Sequence, residues 1–269
     1  MRIMQNITAY TAHRNFTNTG NNMSKNLEKL SSGYRINRAA DDAAGLAVSE
    51  KMRTQVNGLN QAKRNAQDGI SLVQTAEAGM HEIHSMLQRM RTLAVQTSNG
   101  TYTSTDRKLV QAEVAQLLQE IDRLASATQF NELQVLKTSG SVRFHVGANK
   151  DEILAATMQK VGVSELKIKG MTISTVAKAE VAIASLTSAI NRISTQRSDL
   201  GAIQNRLDHT LNAIGIASEN MAASEARIRD LDMAQEMMGF TKNQILLQAG
   251  TSMLSQANQM PQNVLGLLG

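Results

Sequence analysis

Residues 186–221, LTSAINRISTQRSDLGAIQNRLDHTLNAIGIASENM, carry the pattern that decides the fold. Apolar side chains recur there at a constant spacing of seven, at Leu186, Ile193, Leu200, Leu207, Ile214 and Met221. A heptad repeat sustained over this length predicts a long helix that packs through one narrow apolar seam, as the helices of a coiled coil do.

A second heptad series predicts another long helix, from about residue 41 to residue 97. Its members are Leu59, Ala66, Val73, Met80, Leu87 and Ala94. Asp41 and Asp42 suit the start of this helix, because carboxylates accept hydrogen bonds from the free N–H groups of a first turn and complement its dipole.

The segment between the two series predicts a shorter helix and a small β element. Residues 104–128 keep the apolar spacing of three and four that is typical of a helix. Residues 131–173 are punctuated by glycines, and apolar and polar side chains alternate at Val142–Val146 and at Leu166–Lys169. This alternation predicts strands and turns.

Both ends of the chain carry apolar seams but few charges. Residues 3–30 predict a seam helix, and no side chain from Asn243 to Gly269 is charged although leucines recur there. Water solvates such a surface poorly, so we expect the two end helices to pair. The predicted seam of this pair consists of Phe16, Met23, Leu27, Leu30, Ile245, Met253 and Leu254.

Pairing of the ends alone is not expected to order them. Two slender helices bury too little apolar surface against each other to offset the conformational entropy that ordering costs, whereas contacts with several neighbouring copies bury much more. We therefore expect residues 1–40 and 226–269 to form a terminal domain that is disordered in the monomer and helical in an assembly. Residues 41–225 form the second, rod-like domain.

The composition favours thin helix-on-helix packing over a thick core. Aromatic residues make up 3% of the chain, and there is a single proline, Pro261, so long helices are left unbroken. The predicted fold is mostly α: an elongated antiparallel bundle of long helices with a small β element, in which the N- and C-terminal helices pair.

Charge and residue usage argue against several function classes. The 28 basic residues are interspersed with 23 acidic ones and few aromatic residues could stack on bases, so we expect no nucleic-acid partner. Cysteine is absent, which excludes disulfides and thiolate chemistry. No apolar run is long enough for a membrane span, and the N-terminus shows no apolar segment of a cleaved signal.

One motif resembles a known metal site. His81-Glu82-Ile83-His84 nearly spells the zinc-protease motif, but that motif needs its second histidine four residues after the first, and Ser85 stands there. A metal-binding or enzymatic role for His81 and His84 is the alternative to a solvated helix face. We expect the solvated face, with no catalytic residue, no cofactor and no metal, and hence no enzyme.

Several long motifs together resemble bacterial flagellin, the subunit of the flagellar filament, over essentially the whole chain. They are LSSGYRINRAADDAAGLAVSEKMRTQVNGLNQAKRNAQDGISLVQTAE (residues 30–77), LQRMRTLAVQTSNGT (87–101), IDRLASATQFNELQVL (121–136), FHVGAN (144–149), SENMAASEARIRDLDMAQEM (218–237) and QILLQAGTSMLSQANQMPQNVLGLL (244–268). Only about 25 residues separate FHVGAN from Ser174, so the resemblance implies a short form without the variable outer domains.

The resemblance implies a structural role in motility. The subunit would form a helical homopolymer in the extracellular flagellum, after export in unfolded form through the flagellar secretion apparatus with the help of an export chaperone and the filament cap. A hook–filament junction protein, which shares the terminal helices, is the alternative within the same class.

The resemblance also implies contacts with innate immune receptors of animals. Arg89, Leu93 and Glu113 match the positions that anchor the flagellin-sensing Toll-like receptor, and they also lie where subunits pack. Leu117 departs from that pattern, because recognised flagellins tend to carry a basic residue there. The tail that chaperones and cytosolic flagellin sensors read would comprise Val264, Leu265, Leu267 and Leu268.

Overall fold

The structure is a computed structural model that describes the backbone of residues 5–265 and the side chains of residues 5–260. Residues 5–265 form five helices: α1 (Ile7–Ser32), α2 (Ala43–Ser98), α3 (Ser104–Ala127), α4 (Val176–Arg229) and α5 (Met233–Leu265). Four short strands lie between α3 and α4: β1 (Gln129–Phe130), β2 (Leu133–Gln134), β3 (Gly140–His145) and β4 (Ile153–Met158). None of the helices in this described part has the length and hydropathy that a membrane-spanning helix needs.

The chain divides into two compact units. The terminal unit comprises Met1–Thr54 and Asn220–Gly269, and the central unit comprises Gln55–Glu219. Helices α2 and α4 contribute residues to both units.

The heptad series of α2 and α4 form the core of the central unit, where the two helices run antiparallel. Glu77 on α2 pairs with Arg197 on α4 at 3.3 Å. Further along α2, the Nε atom of Arg91 lies 3.4 Å from Oγ1 of Thr187, which comes earlier in α4, so the two helices run in opposite directions. Buried seam positions include Ala66, Val73, Met80, Leu87, Ala94, Leu186, Ile193, Leu200 and Leu207. The predicted mostly α bundle of long antiparallel helices is confirmed.

The small β element packs on α2 through β3 and β4. These strands pair antiparallel, with Val142 opposite Ala156, and alternate residues of β4 are buried. The ring of Phe144 lies 3.1 Å from the point where a Cβ on Gly69 would stand, so the hairpin approaches α2 as closely as a glycine allows. The predicted small β element is confirmed.

The expected strand at Leu166–Lys169 is wrong. These residues form turns, in which the N–H of Leu166 bonds to the carbonyl of Gly162 at 2.9 Å and Lys167 has a φ of +59°. Leu166 and Ile168 are nevertheless buried. Their alternation with lysines arises because a tight turn directs both apolar side chains into the core. No neighbouring strand pairs with this segment of backbone.

The terminal unit contains the pair formed by α1 and α5. Helix α1 ends at Gly33, whose φ of +74° suits a glycine cap and whose N–H bonds to the carbonyl of Lys29 at 2.8 Å. Tyr34 then pairs with Asp230 in an isolated antiparallel bridge. The predicted pairing of the N- and C-terminal helices is confirmed.

The chain that follows the β element forms two helices, α4 and α5. The break lies between Arg229 and Met233, and the carboxylate of Asp232 accepts hydrogen bonds from the N–H groups of Ala234 (3.0 Å) and Gln235 (3.1 Å). Asp232 therefore caps α5 as an N-terminal aspartate should.

Candidate functional site

Helices α1 and α5 pack antiparallel through small residues. A Cβ on Gly250 would stand 3.3 Å from the ring of Phe16, and a Cβ on Gly20 would stand 3.9 Å from Leu247 Cδ1. At the far end of the pair, the Asn6 side-chain amide donates to the carbonyl of Ala257 at 2.7 Å. These contacts fix the register of the hairpin that we call the terminal hairpin, formed by α1 and α5.

Two heptad stripes run side by side along α5. The inward stripe, Phe240, Leu247 and Leu254, is half-buried on the side of α5 that includes Gly250, which packs against Phe16. The outward stripe, Leu246, Met253 and Met260, is exposed. The sequence shows both spacings but does not say which one meets α1.

The predicted seam residues are divided between these two surfaces. Phe16, Met23, Leu30 and Leu254 are half-buried, in keeping with a position between helices. Leu27, Ile245 and Met253 are exposed, and Ile245 shows 65% of its surface to solvent. In the single chain these three side chains therefore lie on the outer surface of the terminal hairpin rather than in its seam.

The outward stripe borders an apolar groove along the terminal hairpin. The groove has a volume of about 720 Å³, and none of its lining residues is charged. Its walls include Ile7, Thr11 and Phe16 from α1 and the three residues of the outward stripe from α5. A groove of this composition suits another apolar helix better than a polar small molecule.

The terminal hairpin has almost no interior of its own. No residue of α1 is buried, and among residues 233–260 of α5 only Ala257 is. The central unit, by contrast, contains a continuous core that draws on α2, α3, α4 and the β element. Burial within one chain therefore does little to hold the hairpin together.

The predicted leucine-bearing tail falls at the end of the described chain. Val264 and Leu265 belong to the last turn of α5, but their side chains lie outside the described residues. Leu267 and Leu268 lie outside them altogether.

The structure joins Arg89 and Glu113, two of the three predicted receptor and subunit contacts. The guanidinium of Arg89 on α2 and the carboxylate of Glu113 on α3 form an ion pair at 2.9 Å, with the side chains 56% and 44% exposed. Leu93 differs, because it is only 2% exposed and belongs to the core. In the folded monomer Leu93 supports this surface from below and does not contribute to it.

His81 and His84 form no metal site with neighbouring ligands in the described part of the chain, where no group of three or more histidine, cysteine or acidic side chains is suitably placed. His81 is exposed, and the Nε2 atom of His84 lies 2.9 Å from the amide of Gln88. Burial lowers the pKa of His84 from its ordinary value, and the positive charges of Arg197 and His81 lower it further. This environment favours a neutral imidazole.

Comparison with known proteins gives matches along the chain. The family model for the bacterial flagellin N-terminal helical region matches residues 3–141, and the model for the bacterial flagellin C-terminal helical region matches residues 183–268. The chain is 51% identical over 271 residues to a flagellin of Halalkalibacterium halodurans and 49% identical over 285 residues to flagellin FlaB2 of Treponema pallidum, with 100% of both chains covered in each case.

A solved structure gives a similar result. The crystal structure of Bacillus cereus flagellin matches with a TM-score of 0.51 at 33% identity, and the match covers 60% of this chain and 94% of that one. A putative flagellar hook-associated protein from Vibrio parahaemolyticus matches with a TM-score of 0.59 over 71% of this chain and 100% of that one, but at 14% identity this match shows the fold alone.

Proposed function

The chain belongs to the bacterial flagellin family and is a structural subunit of the extracellular flagellar filament, and we propose that it polymerises through the groove and outward stripe of its terminal hairpin. Flagellins are a family of structural proteins, and the length of the chain fits a short form of the subunit. Between β4 and α4 only residues 159–175 intervene, which leaves no room for an additional domain.

The observation that carries this proposal is the apolar, chargeless groove on a hairpin without a core. Leu246, Met253 and Met260 present a continuous apolar edge seven residues apart, next to a groove of about 720 Å³. Burial of such an edge against copies of the same chain removes apolar surface from water at about 25 cal/mol per Å². The assembly would thus supply the interior that the single hairpin lacks.

The same observation supports coupling of folding to assembly. Because α1 has no buried residue, we propose that α1 and α5 are disordered in the free subunit and become helical as it joins the filament. Circular dichroism before and after seeded polymerisation tests this: helicity should rise on assembly, and an unchanged signal would count against disordered ends.

We further propose that the free subunit is exported unfolded through the flagellar secretion apparatus and is handled by an export chaperone and the filament cap. An apolar, chargeless C-terminal tail suits capture by a chaperone before export. Val264, Leu265, Leu267 and Leu268 are the proposed chaperone and cytosolic-sensor segment. Pull-down of full-length and tail-truncated chains with the purified chaperone tests the assignment.

The surface around Arg89 and Glu113 is the proposed site for an animal Toll-like receptor and for neighbouring subunits. The exposed ion pair offers one charge of each sign on a rigid two-helix platform, which suits polar recognition. Leu93 lies in the core, four residues after Arg89 on α2.

Deletion of Asn243–Gly269 tests the proposed assembly role directly. The truncated chain should remain a soluble monomer with a folded central unit, because the core of that unit lies within residues 66–207. It should fail to elongate filament seeds in electron micrographs. Normal filaments from the truncated chain would refute the proposal.

A further inference from the structure

The exposed methionines among residues 5–260 are concentrated on one helix. In residues 5–260, every methionine in the exposed class lies on α5, with 45% to 67% of its surface accessible: Met233, Met237, Met238, Met253 and Met260. In the central unit, by contrast, Met80, Met90 and Met158 are buried in the core, and Met86 and Met171 are half-buried against it. The sequence alone does not separate these two classes.

Met253 and Met260 are set apart from the other exposed methionines by their position. Both line the groove of the terminal hairpin, together with Leu246. Met233, Met237 and Met238 lie in the first two turns of α5 and do not line the groove. The chain therefore carries its own matched set of exposed methionines inside and outside the groove.

We propose that Met253 and Met260 are an oxidation site through which peroxides block polymerisation of the free subunit. This inference rests on the proposed role of the groove as the assembly surface. An exposed thioether reacts with a peroxide, whereas a buried one is shielded. Both thioethers are thus open to oxidation in the free subunit, where no neighbour covers them, and they are protected in a subunit whose groove is covered by a neighbour.

The chemistry is a two-electron transfer of oxygen. The thioether sulfur attacks one peroxide oxygen, an S–O bond forms and the O–O bond breaks. The sulfur is oxidised to the sulfoxide as the oxygen now bound to it loses its proton, and the second oxygen of hydrogen peroxide takes up a proton and leaves as water. The product is polar and chiral where the side chain was apolar, so it opposes burial in a helix–helix interface.

The location of the two residues makes the effect specific to assembly. Neither Met253 nor Met260 belongs to the core of the central unit, so their sulfoxides leave that fold intact. The oxidation is also reversible in principle, because methionine sulfoxide reductases return the thioether with thiol electrons.

The test compares full-length protein with two variants before and after mild hydrogen peroxide treatment. One variant carries Met253→Leu and Met260→Leu, and the other carries Met233→Leu, Met237→Leu and Met238→Leu. Peptide mass spectrometry measures sulfoxide at each residue, and seeded elongation measures assembly. We expect treatment to slow elongation about tenfold in the natural chain and in the second variant, and to leave the first variant unchanged.

Two results would overturn the inference: slowed elongation of the first variant after treatment, or normal elongation of the natural chain with both groove methionines fully oxidised. Peroxide treatment of finished filaments distinguishes a failure of the oxidation inference from a failure of the proposed assembly function. Protection of Met253 and Met260 in filaments upholds the groove as the interface. Equal oxidation of both residues in filaments and free subunits would overturn the proposed interface and, with it, this inference.

Discussion

The ring of Phe16 on α1 packs against the backbone of Gly250 on α5, so closely that a Cβ at residue 250 would stand 3.3 Å from the ring. This contact sets the distance between the two helices of the terminal hairpin and therefore the width of the groove beside it. A glycine here serves close approach, since an ordinary side chain would separate the helices.

Substitution of Gly250 should therefore act by size. Gly250→Leu should force Phe16 aside and widen the hairpin, which would slow seeded elongation by an order of magnitude or more. Gly250→Ala is the matched control. Its single methyl group requires the half-buried ring of Phe16 to shift by only a few tenths of an ångström. Equal elongation rates for the two variants would show that the Phe16–Gly250 contact does not shape the assembly surface.

A second glycine supports the central unit. A Cβ on Gly79 of α2 would stand 2.7 Å from Leu136 Cδ1 and 2.9 Å from Thr128 Oγ1, and Leu136 is fully buried. Gly79→Ala should lower the free energy of unfolding of the central unit by about 1–3 kcal/mol, because crowding in a packed core outweighs the gain in helix propensity.

Gly201→Ala provides the contrast for Gly79→Ala. Gly201 also lies inside a long helix, α4, but nothing stands within 4 Å of its Cβ position. This substitution should raise the free energy of unfolding by up to about 1 kcal/mol. Urea unfolding followed by circular dichroism measures both variants, and changes of the same sign would contradict the packing described for Gly79.

The Arg89–Glu113 ion pair should matter little for stability. Both side chains are about half exposed, and pairs of this kind contribute about 0–1 kcal/mol. Arg89→Ala should therefore leave the unfolding midpoint almost unchanged while it reduces Toll-like receptor activation in reporter cells. The double variant Arg89→Glu with Glu113→Arg should likewise keep the unfolding midpoint but not restore signalling, and restored signalling would argue against direct recognition of these charges.

His84 should make the stability of the central unit depend on pH. The folded protein holds the pKa of His84 below its ordinary value, through burial first and then through Arg197 and His81. Below about pH 6.5 the unfolded state therefore binds more protons at this residue than the folded state does. The contribution of His84 to stability is complete above that pH and is lost as pH falls through the lowered pKa.

A comparison with His84→Gln isolates this contribution. The urea concentration at the midpoint of unfolding should fall between pH 7.5 and pH 5.5. This fall should be larger for the natural chain than for His84→Gln, because the variant lacks the titrating ring. The flanking charges, Glu77 and His81 on α2 and Arg197 on α4, are the same in both chains. An equal fall of the urea midpoint in both proteins would contradict the lowered pKa of His84.

Sequence periodicity predicts the long antiparallel helices that form most of the core of the central unit. Spacings of seven on α2 and α4 place residues such as Leu87 and Leu186 in a shared seam, because a 3.6-residue helix brings those positions to one face. The turn at Leu166–Ile168 could not be predicted in this way. Alternation of buried and exposed side chains arises equally from a strand and from a compact turn, and only pairing distinguishes them.

The candidate site was less predictable for a physical reason. On α5, Leu246 and Leu247 both begin heptad stripes, and the chain alone does not say which stripe meets α1. Small residues decide it: Gly250 admits Phe16 on the side of Leu247, which leaves Leu246 and Met253 outside. Heptad spacing does not show which face of a helix packs against its neighbour. It therefore could not predict that Met253 and Ile245 are exposed or that Leu93 is buried.

Seeded elongation by a full-length chain carrying Leu246→Glu tests the central claim most directly. Leu246 lies in the groove and is exposed in the single chain, so a carboxylate there costs the free subunit little but would have to be desolvated in the assembly. We predict that Leu246→Glu keeps the melting curve of the central unit and fails to elongate seeds, whereas the control Leu246→Met elongates normally. Elongation of Leu246→Glu at the rate of the natural chain would contradict the account.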